Sequence, residues 1–97
     1  MVINMKKNMR KYSILGAIKS TPNAKLIYAF LNDICNGKGT IKISHREISQ
    51  VLGISRSTVG DNTRRLKNAG YLRIEPTYNE YGGRQANRFR ICRREMP

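Results

Sequence analysis

The apolar residues of this chain fall into short periodic groups separated by clusters of turn formers. From Asn23 onward, Ile27, Phe30, Leu31 and Ile34 recur at the spacing that lines one face of a helix. Ser20-Thr21-Pro22 in front of them offers a capping hydroxyl and a proline at the first helical position, where a missing N–H does no harm. Asn36-Gly37-Lys38-Gly39 behind them ends the helix. Thr40 to Ser44 then alternates Ile41 and Ile43 with polar residues, which suits a short strand. Ser44-His45-Arg46-Glu47 has the form of a capping box, and the helix it opens carries Ile48, Val51 and Leu52 on its inner side. Gly53 can adopt the left-handed conformation that stops a helix tightly. Ile54 packs inward, and Ser55 caps a further helix at once, with Val59, Thr63 and Leu66 on one face and an end near Asn68-Ala69-Gly70.

The remainder reads as a hairpin. Tyr71 to Tyr78 alternates with Leu72 and Ile74 on one side, Glu80-Tyr81-Gly82-Gly83 supplies a turn, and Ala86 to Cys92 returns with Phe89 and Ile91 inward. Pro76 places the first of these strands at an edge, or bends it there. Upstream, Ser13 to Ile18 is a short apolar run expected to dock on the domain as a strand or turn, and residues 1–12 are expected to form a flexible basic arm. The order helix, strand, helix, tight turn, helix, hairpin predicts an α+β fold, mainly α. Its three-helix core and C-terminal β-hairpin occupy one domain over residues 13–97.

Charge is what changes this picture from a fold to a chemistry. Among 97 residues, 19 Lys and Arg stand against 6 Asp and Glu, a formal net charge of +13. That self-repulsion would be relieved by a polyanion: nucleic acid, acidic lipid or an acidic protein. The longest apolar run is only a few residues, so no membrane span is expected, and the first 11 residues lack the apolar stretch of a signal peptide. Cys35 and Cys92 stand far apart without Cys or His neighbours at ligand spacing. They are read as free, partly buried thiols rather than zinc ligands, one disulfide being the lesser alternative.

Ser44 to Leu66 holds two short helices joined by a turn centred on a glycine, tight enough for both to share one core while the second projects outward. Leu52-Gly53-Ile54-Ser55-Arg56-Ser57-Thr58-Val59 resembles the turn and recognition-helix start of winged helix-turn-helix regulators. Arg65-Leu66-Lys67-Asn68-Ala69-Gly70-Tyr71-Leu72 resembles the helix-to-wing junction of the same proteins. Thr21 to Tyr28 is similar to the first helix of one branch, bacterial and phage regulators and the N-terminal domains of replication initiators. The resemblance covers roughly residues 13 to 92. It implies a winged helix-turn-helix fold and double-stranded DNA as partner.

Turning about 100° per residue from Val59 separates the faces of the last helix. Ser57, Asp61, Arg64 and Asn68 point away from the core. Arg56, Ser57, Asp61 and Arg64 are therefore the base-edge candidates, since a major-groove helix reads with outward polar side chains of its first turns. Ser55, Thr58, Arg65 and Lys67 are candidates for phosphates, which set register without carrying sequence information. Ser44, His45 and Arg46, at the start of the preceding helix, join the DNA-binding candidates, as do Arg84 and Arg88 on the wing. Each has a plainer alternative. Ser55 is a helix cap whether or not DNA binds, and Arg65 and Lys67 can form a solvated face. Asp61 either accepts a hydrogen bond from a cytosine amine or pairs with Arg64 or Arg65 within its helix. Tyr81 packs on a sugar or stabilises the hairpin. Gly60 reflects close approach to DNA or to the preceding helix.

No Gly-rich phosphate loop, metal cluster or nucleophile paired with a base is visible, and His45 is the sole histidine, so no enzyme and no cofactor are expected. The leading reading is a sequence-selective double-stranded DNA binder, a transcriptional regulator of the bacterial cytosol or nucleoid. The alternative of the same chemistry is the DNA-binding domain of a phage or plasmid replication-initiation protein. RNA or ribosome binding and a protein-interaction winged helix are the competing classes. A homodimer reading paired half-sites is compatible with the pattern, and would have to use the first helix or the N-terminal arm.

Overall fold

A computed structural model of the chain describes residues 15–16 and 20–92. The expected arm, residues 1–12, lies outside the described residues, as do residues 93–97. The elements run α1 (Pro22–Ile34), β1 (Thr40–Lys42), α2 (His45–Leu52), α3 (Arg56–Asn68), β2 (Leu72–Tyr78) and β3 (Arg84–Ile91). Three helices and a three-stranded antiparallel sheet in the order β1-β3-β2 make the winged helix-turn-helix architecture expected from the sequence.

Local chemistry sets nearly every helix boundary. Thr21 caps α1, its hydroxyl accepting from the Ala24 amide at 3.1 Å with Pro22 following at the first helical position. Ser44 and Glu47 form the reciprocal capping box of α2. Gly53 closes that helix at φ 68°, a conformation that costs glycine nothing and an L-residue with a Cβ about 1 kcal/mol or more. Ser55 then accepts from the Thr58 amide at 3.1 Å and starts α3. With only Gly53 to Ser55 between them, α2 and α3 are forced to diverge from one sharp corner. The Ser49 hydroxyl, donating to the Ile54 carbonyl at 2.5 Å, pins that corner.

The core is built from Ala24, Ile27, Tyr28 and Leu31 of α1, Ile43, Ile48 of α2, Val59 and Leu66 of α3, and Leu72, Phe89 and Ile91 of the sheet. Phe89, Ile27, Leu31, Ile48, Leu66, Leu72 and Val59 are fully buried, each worth about 1.5–3 kcal/mol of transfer free energy. Thr63, also buried, donates its hydroxyl to the Gly60 carbonyl at 3.1 Å.

Three apolar assignments from the sequence change. Ile34 is exposed, because the buried face of α1 runs through Ala24, Ile27, Tyr28 and Leu31, and Ile34 falls in the last turn beyond it. Val51 is 63% exposed, since the eight-residue α2 turns only Ile48 fully into the core, with Leu52 partly covered. Leu15 packs against the core as expected of the Ser13 to Ile18 run, yet it and Gly16 are helical rather than in a strand or turn.

The wing is the β2–β3 hairpin, with β1 adding a third strand: Ile41 faces Phe89 across β1–β3, and Ile74 faces Phe89 across β2–β3. β2 is an edge strand, and its register slips between Glu75 and Thr77, so Pro76 both lies at an edge and marks a bulge. The chain around the turn is held by Asn79, whose side-chain oxygen accepts from the Tyr81 and Gly83 amides at 2.9 and 2.8 Å. A side chain on Gly83 would collide with Asn79, a Cβ there standing 2.8 Å from its amide nitrogen.

Candidate nucleic-acid interface

α3 is fixed by its inner residues. Val59, Thr63 and Leu66 are buried as the helical projection required. Asn62, which the projection did not single out, is also buried: it accepts from the Thr21 hydroxyl and donates to the Thr58 carbonyl at 2.8 Å. The cap of α1 is thus fastened to the middle of α3. A polar residue within one step of an apolar stripe is the only trace of this in the sequence.

The outward face of α3 carries Arg56, Ser57, Asp61 and Arg64, all exposed. Arg64 and Asp61 lie 3.9 Å apart, both largely in solvent, a loose contact that holds neither side chain firmly. At the helix start the Ser55, Ser57 and Thr58 hydroxyls are mutually bonded, Ser55 Oγ lying 2.7 Å from Thr58 Oγ1 and 3.2 Å from Ser57 Oγ. Ser44 is similarly engaged, its hydroxyl donating to Glu47 Oε1 at 3.1 Å and accepting from the Glu47 amide at 3.0 Å. Both serines therefore have complete roles as caps. Arg46 is exposed beside the box.

One flank of α3, Gly60, Thr63, Arg64 and Lys67, faces the wing across an open cleft of about 320 Å3. The wing contributes Ile74, Pro76, Tyr78, Arg84 and Asn87, and α2 contributes His45. Arg84 Nη2 donates to Asn87 Oδ1 at 3.2 Å, which holds the guanidinium on this side of the hairpin. Four of the residues nominated from sequence, His45, Arg64, Lys67 and Arg84, are brought together here. Tyr78 and Asn87 join them without having been nominated: alternation along the wing strands was read only for its apolar members, and the slip at Pro76 shifts which residues face α3.

Two nominated cations lie elsewhere. Arg65 is on the other flank of α3, beside Ser20, Thr21, Asn68 and Ala69. Arg88 alternates with the buried Phe89 and so occupies the outer face of the sheet, opposite Glu75 and Lys42 in the ladder. Arg90 pairs there with Glu75 at 3.3 Å. Arg65 and Lys67 also stand in the last turn of α3, where cations complement the helix dipole.

His45, the first residue of α2, is set into the structure rather than out on its surface. Its ring stacks on Phe89 with centroids 6.2 Å apart and planes 29° from parallel. Gly60 lies directly over it, so that a Cβ there would stand 3.8 Å from Nδ1. That is ordinary van der Waals contact, so the packing against α2 does not require a glycine there. Burial pushes the imidazole pKa below its ordinary 6.5.

Tyr81, at the tip of the wing, is 88% exposed and contributes nothing to packing the hairpin. Cys35 and Cys92 are free, half-buried thiols. No helix of the described residues is long and apolar enough to cross a membrane.

A helix pair meeting at a glycine corner, with a hairpin beside the second helix, is the winged helix-turn-helix fold. Residues 42–73, from the last residue of β1 to the second residue of β2, match the family model for winged helix-turn-helix DNA-binding domains. No curated protein and no solved structure matches the chain significantly.

Proposed function

We propose that this protein binds double-stranded DNA sequence-selectively and acts as a transcriptional regulator, with α3 in the major groove and the wing beside it. The observation that carries the reading is the placement of cations around α3. Arg56 and Arg64 stand on its outward face, and Lys67 and Arg84 flank the cleft on its wing side. The match of residues 42–73 to a DNA-binding family supports it independently.

In this arrangement Arg56, Ser57, Asp61 and Arg64 reach base edges. Arginine suits a guanine, to which it donates two hydrogen bonds, and an aspartate suits a cytosine amine. Ser55, Thr58, Arg65 and Lys67 hold phosphates on either side, and the α2 start (Ser44, His45, Arg46) approaches the backbone. Arg84 and Arg88 extend the contact along the wing. The Ser55 cap need not break, since a phosphate can accept from a hydroxyl that already accepts from an amide, whereas a phosphate at Ser44 would take the proton now given to Glu47 Oε1. The compartment of such a protein is the one that holds DNA, the cytosol or nucleoid.

Selection from a pool of random duplexes tests this reading. The wild type should enrich a defined motif, and Arg64→Ala should relax it at one position, at a cost of about 1–3 kcal/mol for the preferred site. A palindromic motif with half-sites about 10 base pairs apart would assign two copies to each site. Recovery of no motif, or preference for structured RNA over duplex, would refute sequence-selective DNA binding.

A further inference from the structure

The cleft between α3 and the wing is lined by an imidazole that stacks on Phe89 but whose Nε2 neither the fold nor base reading employs. His45 Nε2 is buried without a hydrogen-bond partner, an arrangement that costs free energy. A phenyl ring would fill the space between Phe89 and Gly60 without that cost. The residues lining the same cleft include Arg64 and Lys67 from α3 and Arg84 from β3, with the Tyr78 phenol from β2, and no carboxylate. On its own helix His45 has the exposed Arg46 on one side, while Glu47 is occupied by the capping box. The nearest acid on α3, Asp61, sits against Arg64 outside the cleft lining. Lys67 and Arg84, sharing a cleft that no carboxylate lines with an imidazole whose Nε2 is unpaired, describe a place for an anion.

We infer that this cleft seats one backbone phosphate of a bound duplex between Lys67 and Arg84, and that His45 takes up a proton as the phosphate enters. The inference rests on the DNA-binding reading above and adds a site and a proton to it. A duplex with its bases against α3 and its neighbouring groove against the wing must pass the intervening backbone strand between them, where the cleft lies. The phosphate brings a negative charge beside the imidazole, so the imidazolium that burial disfavours in the free protein is less disfavoured in the complex. The proton comes from solvent and returns to it on release: an O–H bond of hydronium breaks as the ring N–H bond forms, and water is left.

His45 is the chain's only histidine, so its ring resonances report this event alone. Protein is titrated by NMR from about pH 8 to about pH 5.5, free and with excess duplex, at about 0.3 M salt, where the diffuse field of DNA is screened beyond a few ångströms. The midpoint is expected to rise by about one unit or more in the complex, and Arg84→Ala to shrink that rise. Affinity should strengthen by up to about tenfold per pH unit between the two midpoints. His45→Phe, which keeps the stack on Phe89, should flatten that profile. Tight duplex binding with an unmoved midpoint and a flat profile overturns the seat while leaving DNA binding intact. Absence of duplex binding at every pH overturns the underlying reading and the seat together. Should His45→Phe fail to fold, the wild-type titration decides.

Discussion

Asp61 is the side chain whose charge runs against its surroundings. It stands on the outward face of α3 among arginines, where it repels phosphates, and its contact with Arg64 is too long and too exposed to fix either group. If α3 docks on DNA as proposed, an acid in this position lowers affinity for all duplexes and favours those offering a cytosine amine. Asp61→Asn should therefore raise affinity for random duplex several-fold and narrow the gap between a selected site and random DNA, both read by fluorescence anisotropy. An unchanged ratio would leave Asp61 as a partner of Arg64 only. His45 carries a prediction of the opposite kind, about the protein alone. Its pKa is lower folded than its ordinary 6.5, so the unfolded chain binds the proton more readily. Stability contributed by the neutral ring is full above about pH 6.5 and is lost as pH falls below it toward the folded pKa. Urea midpoints should fall over that window for wild type, and His45→Phe should remove the histidine's part of the fall. At this scale the caps were legible in the sequence and His45 was not. Ser44, Glu47, Gly53 and Ser55 act on neighbours within a few residues, whereas the environment of His45 is made by Phe89 and Gly60, brought to it only by folding.

At the scale of elements, α3 tolerates a glycine in its middle for a reason that is spatial but not compelling. A Cβ at residue 60 would meet the His45 ring at ordinary van der Waals distance, 3.8 Å, and no positive φ is required there. Gly60→Ala should stabilise the fold by about 1 kcal/mol in chemical denaturation. A destabilised variant would mean that α2 and α3 are closer than these contacts allow. The elements themselves were readable because their start and stop signals are local. Which apolar residues they bury was less so. Ile34 and Val51 satisfy helical periodicity as well as their buried neighbours, and their exposure follows from where α1 ends and how short α2 is. Pro76 showed the opposite behaviour: a single residue without an N–H predicted an edge, and the sheet has both the edge and a slipped register there. The slip was invisible in the alternation, and with it the approach of Tyr78 and Asn87 to the cleft.

At the scale of the whole molecule, a formal charge of +13 sits on a domain whose core is apolar and whose exposed ion pairs are few and weak among the described residues. With 6 acids against 19 cations, most of that charge cannot be neutralised within the chain, and on the proposed reading its use lies in association. The basic balance left the polyanion open, and it was the family resemblance of the helix pair that pointed to duplex DNA from the sequence. They did not distinguish cations on the α3–wing side from Arg65 and Arg88, which the fold carries to other faces. The measurement that tests the central claim most directly is fluorescence anisotropy with random duplex DNA across a salt series, for wild type and Arg64→Ala. Four or more phosphate contacts predict an affinity that drops by about a hundredfold or more between about 50 and 200 mM salt. Arg64→Ala should bind more weakly throughout. Binding that is absent at low salt, or indifferent to both salt and the substitution, would contradict the docking of α3 on DNA.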